Sequence, residues 1–298
     1  MTGVGSKLSV VLACGRDSTS PGPSLEAVRA ACRGIDTEVI VAHAAGVSVP
    51  RLDSGERWAV RALAGGPDAL IPELWGIGIL AATGDAVALT IPECRVSPDW
   101  ARLLLATLGE GASGAGGGFV LADAADLVTR AVYFLRYSAF LPPAVAEARQ
   151  DIAGDNAAYD AAALRRHRPS LARGFWEVEF HRLIRAEGAK LILAPGPTAI
   201  FCGPIRFAGM WRQRMEHGRR FAAWRVREVG TSRWRIVCAA PLVPALLVGR
   251  VLRRLRSRPG LLRRAAPALP VVLALATAWA VGEASGAWSA ERVALPTG

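Results

Sequence analysis

Short, unbroken apolar runs alternate with segments of helical spacing along the first half of the chain, and this alternation restricts the fold more than any other feature. Residues 8–13 (LSVVLA) are continuously apolar and rich in β-branched side chains, as a strand buried on both faces requires. Residues 25–32 have helical spacing, and residues 38–42 (EVIVA) read as a second buried strand. Strand, helix and strand in that order predict a right-handed crossover and a parallel sheet. The pattern continues with a helix over 72–82, a turn at Gly84-Asp85, a strand over 86–90 (AVALT) and a helix over 98–108 with Ser97 as its N-cap. The glycine-dense stretch 111–118 (GASGAGGG) reads as a flexible turn into a strand at 119–121. A helix over 125–140, a polar loop at 151–156, helices around 158–166 and 176–187 and a strand at 190–194 complete this half. The expected class is α/β, a mostly parallel sheet flanked by helices.

Charge divides the chain differently. Residues 1–160 carry a net charge of −6 and residues 161–298 carry +17, with no aspartate in the second part. Nearly all the cations are arginine, whose planar fork suits phosphate. Anionic lipid, a phosphorylated substrate and nucleic acid are the three partners such a region admits. Nucleic acid is disfavoured, because the cations interleave with apolar runs and no aromatic RNA-binding phrase or zinc spacing accompanies them. The five cysteines are scattered and form no metal-ligand spacing, which suits a reducing compartment. The opening MTGVGSK is too polar for a signal peptide, so the N-terminal part is expected in the cytosol.

Composition shifts after residue 206, which sets the expected boundary between a domain over 1–206 and a region over 207–298. Residues 210–229 fit a helix with an apolar stripe containing Trp211, Met215 and Ala222, and arginines beside it. That pattern serves an interfacial membrane helix or one packed on the domain equally well. Residues 236–251 are interrupted by Pro241, Pro244 and Arg250, with arginines on both flanks, and read as interfacial or re-entrant. Residues 265–281 carry no charge and read as the deeper anchor, although a full crossing needs about 20 apolar residues.

Against this background, several phrases stand in an order and spacing that resembles glycosyltransferase family 2. They are GIGILAATGD at 76–85 followed by AVALT, then SPDW at 97–100, AGDNAAY at 153–159, and WEVEF at 176–180 before an arginine-bearing helix. The resemblance covers about residues 7–225. It implies a GT-A fold, a Rossmann-like sheet holding a nucleotide-sugar at its strand ends, and inverting transfer to an acceptor hydroxyl. An anionic membrane surface and a membrane lipid or lipid-linked acceptor would be the partners. The setting would be the inner or plasma membrane of a bacterium.

The resemblance places Glu177 as the catalytic acidic residue, with Glu179 two positions on. From the residues alone, two carboxylates at a helix start simply favour its dipole. Asp155 and Asn156 fall at the implied acceptor site, and on their own they read as turn and capping residues. After the strand at 86–90 the family carries aspartates that hold a divalent cation, magnesium or manganese. Here the chain reads Ile91-Pro92-Glu93-Cys94, so Glu93 is the one carboxylate for a metal or donor contact. His43, at the end of the second strand, is a candidate donor contact. Arg214 and Arg219 are candidates for the diphosphate or, equally, for lipid headgroups. A non-catalytic, membrane-bound scaffold of the same fold is the competing expectation.

Overall fold

The computed structural model describes residues 7–50, 55 and 57–289. Residues 1–6, which carry most of the reading of the N-terminus, lie outside this set. The chain divides into two compact units: residues Met1–Ala124 with Phe140–Gly203, and residues Ala125–Ala139 with Pro204–Gly298.

The first unit opens with β1 (Leu8–Cys14), α1 (Gly22–Ala31), β2 (Thr37–Ala44), β3 (Trp58–Gly65), α2 (Ile71–Ala81), β4 (Ala86–Thr90), β5 (Cys94–Val96), α3 (Trp100–Gly109) and β6 (Gly114–Leu121). Helix α4 (Leu127–Tyr137) belongs to the second unit. The first then resumes with β7 (Glu147–Arg149), β8 (Asn156–Asp160), α5 (Ala161–Arg166), α6 (Arg168–Leu171), α7 (Glu177–Ala186) and β9 (Leu191–Phe201). Among the described residues the strands form one mixed sheet in the order β3-β2-β1-β4-β8-β6-β9-β5, with β7 beside β9. Strands β3, β2, β1 and β4 are parallel, and β8 runs antiparallel between β4 and β6. This is the mixed α/β class expected from the sequence. Every residue of β1 and β4 is buried, which is why both read as unbroken apolar runs.

Several local expectations are corrected. The glycine run is no flexible turn, because residues 114–118 are the buried first part of β6. Its glycines permit close approach: a Cβ on Gly117 would overlap the Pro197 carbonyl, and one on Gly118 the backbone of Pro142. Residues 156–160 form β8 rather than the end of a loop and the start of a helix, since pairing with Ala86–Thr90 fixes them as a central strand. Ser97 does not cap α3; Asp99 holds the N-cap position, and the Ser97 hydroxyl accepts from the Thr198 N–H at 3.3 Å. Strand β3 gave no sequence signal because it lies on the edge with about half its residues exposed.

The second unit is helical: α4, α8 (Phe207–Arg227), α9 (Arg233–Ala239), α10 (Val243–Leu255), α11 (Pro259–Ala265) and α12 (Leu269–Ser289). Two segments are long and apolar enough to cross a membrane, Arg233–Leu255 at mean hydropathy 1.8 and Pro259–Ser289 at 1.7. The first is longer than its sequence reading. Pro241 and Pro244 sit in the first turns of a 3-10 segment and of α10, where a missing N–H costs little. Only 17% of its most apolar stretch is buried within the protein, so Trp234, Leu242 and Leu246 present an uncovered apolar surface. Ala131 of α4 packs with Ala268 and Val272 in a core of this unit.

Candidate active site

Glu177 is the first residue of α7, a position where the helix dipole favours a carboxylate. Its Oε1 accepts the Gly154 N–H. Glycine at 154 is needed for this approach, since a Cβ there would lie 2.7 Å from Glu177 Oε1 and 3.1 Å from the Trp75 ring. Trp75 in turn donates from Nε1 to the carbonyl of Thr90, the last residue of β4, at 3.3 Å. These contacts fix the carboxylate beyond the carboxyl end of the parallel strands, where open α/β sheets bind ligands. The Thr90 hydroxyl is buried and has no hydrogen-bond partner among the described residues.

Trp75, which shares the surroundings of Gly154 with the carboxylate, belongs to a cluster of aromatic rings. Trp75 meets Phe175 edge-on at 6.2 Å, and Phe175 meets Tyr159 at 5.2 Å. Phe175 is fully buried in this aromatic cluster, whereas Trp176 turns its Nε1 to the Arg173 carbonyl at 3.2 Å. Trp75 takes the second place in that cluster. Its role was invisible along the chain because it stands about 100 residues from Glu177.

Asp155 is buried at 2% exposure, immediately after the glycine that holds Glu177. Asn156 is fully buried, and its amide is occupied by the sheet. Its Oδ1 accepts Trp100 Nε1 at 2.6 Å, and its Nδ2 donates to Gly118 O at 2.9 Å and Pro197 O at 3.3 Å. Both amide hydrogens of Asn156 are thus used, so it could meet an acceptor only through the second lone pair of Oδ1. Glu179 faces the other way along α7, bridging Arg173 at 3.2 Å and accepting from Ser170 at 3.3 Å.

Behind Glu177 lies a hydrogen-bonded chain that the sequence reading missed. Asp151 Oδ1 meets His181 Nδ1 at 3.1 Å, and His181 Nε2 meets the Tyr159 hydroxyl at 2.9 Å. Burial, reinforced by the charges of Glu177, Asp151 and Asp155, pushes the Tyr159 phenol well above its ordinary pKa. Burial also pushes His181 down, against the pull of Asp151. Glu177 and His181 are four residues apart, one face of a helix, and that spacing was the available signal.

The remaining candidates are dispersed. Glu93 is buried and accepts the Thr19 N–H at 2.8 Å, tying the loop after β1 to the segment after β4. Among the described residues, no three His, Cys, Asp or Glu side chains cluster closely enough to hold a metal ion. With its one carboxylate engaged by backbone, this segment does not fit magnesium or manganese. His43, at the end of β2, turns Nδ1 to the Ala44 carbonyl at 3.1 Å. In the second unit, Arg214 lies over the Trp279 ring at 4.3 Å, while Arg219 is exposed and pairs with Glu216 at 2.9 Å. Five helical residues separate the two arginines by well over a right angle, so their guanidinium groups do not converge.

The sheet and its flanking helices define a mixed α/β protein with a buried carboxylate cluster near the end of β4. No family model matches the sequence, and no curated protein is similar to it. Among solved structures, the crystal structure of TarS 1–349 from S. aureus is similar at a TM-score of 0.44 and 8% identity, covering 74% of this chain. The chain spans 66% of that structure's length.

Proposed function

We propose that the chain is a membrane-associated glycosyltransferase that moves a sugar from a nucleotide-sugar donor to an acceptor hydroxyl, with inversion. The observation that carries this reading is the Glu177 carboxylate, held by the Gly154 N–H and walled by Trp75 and Phe175 at the carboxyl end of β4. The resemblance to glycosyltransferase family 2 assigns the base to the same residue. In the reaction, Glu177 takes the acceptor's hydroxyl proton as the acceptor oxygen attacks the anomeric carbon. The bond to the diphosphate breaks on the opposite face, and the electron pair leaves with the phosphate oxygen. Asp155 lies beside the base and is suited to orient the acceptor. Arginine, the dominant cation, is the group chemically matched to the departing diphosphate.

The exposed apolar face of α9 and α10, with its arginines, supports attachment to an anionic bilayer and an acceptor that is itself lipid-linked. The first unit would then work at the cytosolic face of a bacterial inner membrane. A non-catalytic membrane scaffold is the second reading, favoured by the engagement of Glu93 with Thr19 where the family holds its metal. Purified protein in anionic vesicles, given radiolabelled nucleotide-sugars, separates the two. Turnover that falls by at least about a hundredfold in Glu177→Gln, with folding retained, supports the enzyme. Donor binding with no transfer or hydrolysis supports the scaffold.

A further inference from the structure

Helix α12 is apolar on every side, a pattern shared by membrane spans and by the central helix of a bundle. Its neighbours decide between the two. Gly282 abuts the Met215 carbonyl and Gly286 that of Arg219, so α8 runs parallel to α12 at the same height. Over that height α8 carries Arg212, Glu216, Arg219 and Arg220, with Arg212 and Arg219 exposed. The buried Glu283 of α12 pairs with Arg225 of α8 at 3.3 Å. A hydrocarbon layer around α12 would enclose these charges as well, which bilayers resist.

Helices α9 and α10 present the contrasting surface. Trp234, Leu242 and Leu246 are all more than half exposed. The uncharged residues 236–249 reach about 21 Å as a helix, short of a hydrocarbon core of about 30 Å. Arginines stand at both ends of that stretch, and residues 229–282 contain no acidic side chain, so the charge suits an acidic surface. Trp234 meets Trp288 edge-on at 5.6 Å, and the Arg233 guanidinium lies 5.6 Å from the Trp288 ring centre. Such amphipathic rings settle at the level of lipid headgroups.

We propose that the second unit is monotopic: α9 and α10 lie in one leaflet of an anionic phospholipid bilayer, no helix crosses it, and both ends of α12 stay on one side. Helix α12 is then the core of the unit rather than its anchor. The inference rests on the membrane attachment proposed above and narrows it to a single leaflet.

Full-length chains carrying Ser257→Cys or Ser289→Cys test the topology. They are made in bacteria and treated with a membrane-impermeant maleimide, with the wild type as background because Cys238 is itself exposed. Neither added thiol should react in intact spheroplasts, and both should react after lysis. Labelling of either in intact spheroplasts overturns the inference, as does a thiol that stays unreactive after lysis and so lies within the bilayer. Purified protein is also sedimented with vesicles of phosphatidylcholine, alone or mixed equally with phosphatidylglycerol. We expect preference for the mixture and a loss of at least about tenfold in the Leu242→Asp, Leu246→Asp double variant, with folding checked by circular dichroism. Unchanged binding in that variant, or equal binding to the two vesicles, overturns the assigned surface. A wild type that stays in solution with the mixed vesicles instead overturns the attachment itself.

Discussion

Gly218 of α8 and Trp279 of α12 leave no space for a side chain between them: a Cβ on Gly218 would stand 2.5 Å from the Trp279 carbonyl oxygen. The crossing continues at Gly282 and Gly286, where a Cβ would overlap the carbonyls of Met215 and Arg219. Small residues four apart let two backbones approach to this distance, in lipid as in water. Gly282→Leu is therefore expected to force the helices apart and to cost about 1–3 kcal/mol. Thermal unfolding followed by circular dichroism reads the change. An unaltered midpoint would show that the pair tolerates separation.

Asn156 ties β8 to α3, β6 and β9 through one side chain. Asn156→Ala leaves the Trp100 N–H and two carbonyls without their bonds in a fully buried place. The expected cost is about 3 kcal/mol, measured by urea unfolding of the purified protein. A loss of turnover at unchanged stability would instead assign Asn156 to the acceptor.

Glu38, near the start of β2, is buried opposite the active end of the sheet. Its carboxylate accepts the Ser9 hydroxyl at 2.6 Å, and the Thr83 N–H and hydroxyl at 2.5 and 2.7 Å. Burial raises its pKa, but these bonds and Lys7 outweigh burial and hold it below the ordinary value. A lowered folded pKa gives stability that is present above the unfolded value, about 4.3, and is lost as pH falls through the folded one. Glu38→Gln should cost about 1–3 kcal/mol at pH 7, and less as the pH falls below 4. Denaturant midpoints at pH 7 and pH 3.5 would expose an equal loss at both, which this account forbids.

Removing residues 207–298 is the obvious route to a soluble first unit, but α4 makes it unsound. Ala131 packs with Ala268 and Val272, and the cut would uncover that face. The truncated chain is expected to aggregate unless α4 is also replaced by a polar linker. Sedimentation of the two forms in buffer without lipid checks this, and a soluble simple truncation would refute it.

The parallel half of the sheet was legible because burial on both faces leaves an apolar signature that β1 and β4 carry without interruption. Strand β6 was not, since its glycines report the closeness of Pro142 and Pro197, which lie far along the chain. Strand β8 (NAAYD) has too few large apolar side chains to announce itself, and takes its form from pairing with β4. At the candidate site, Glu177 and Asp155 were named from their phrases, and the structure shows both close to Gly154 in the chain or in space. Trp75 and the Asp151–His181–Tyr159 chain emerged only when elements distant in sequence were brought together.

Helix α4 is translated in the middle of the first unit yet is covered by residues that follow Pro204. On the ribosome, the sheet has most of its strands while this helix still shows its apolar face to the surroundings. That interval is one in which an apolar surface awaits its cover, the kind of exposure that chaperones meet on nascent chains.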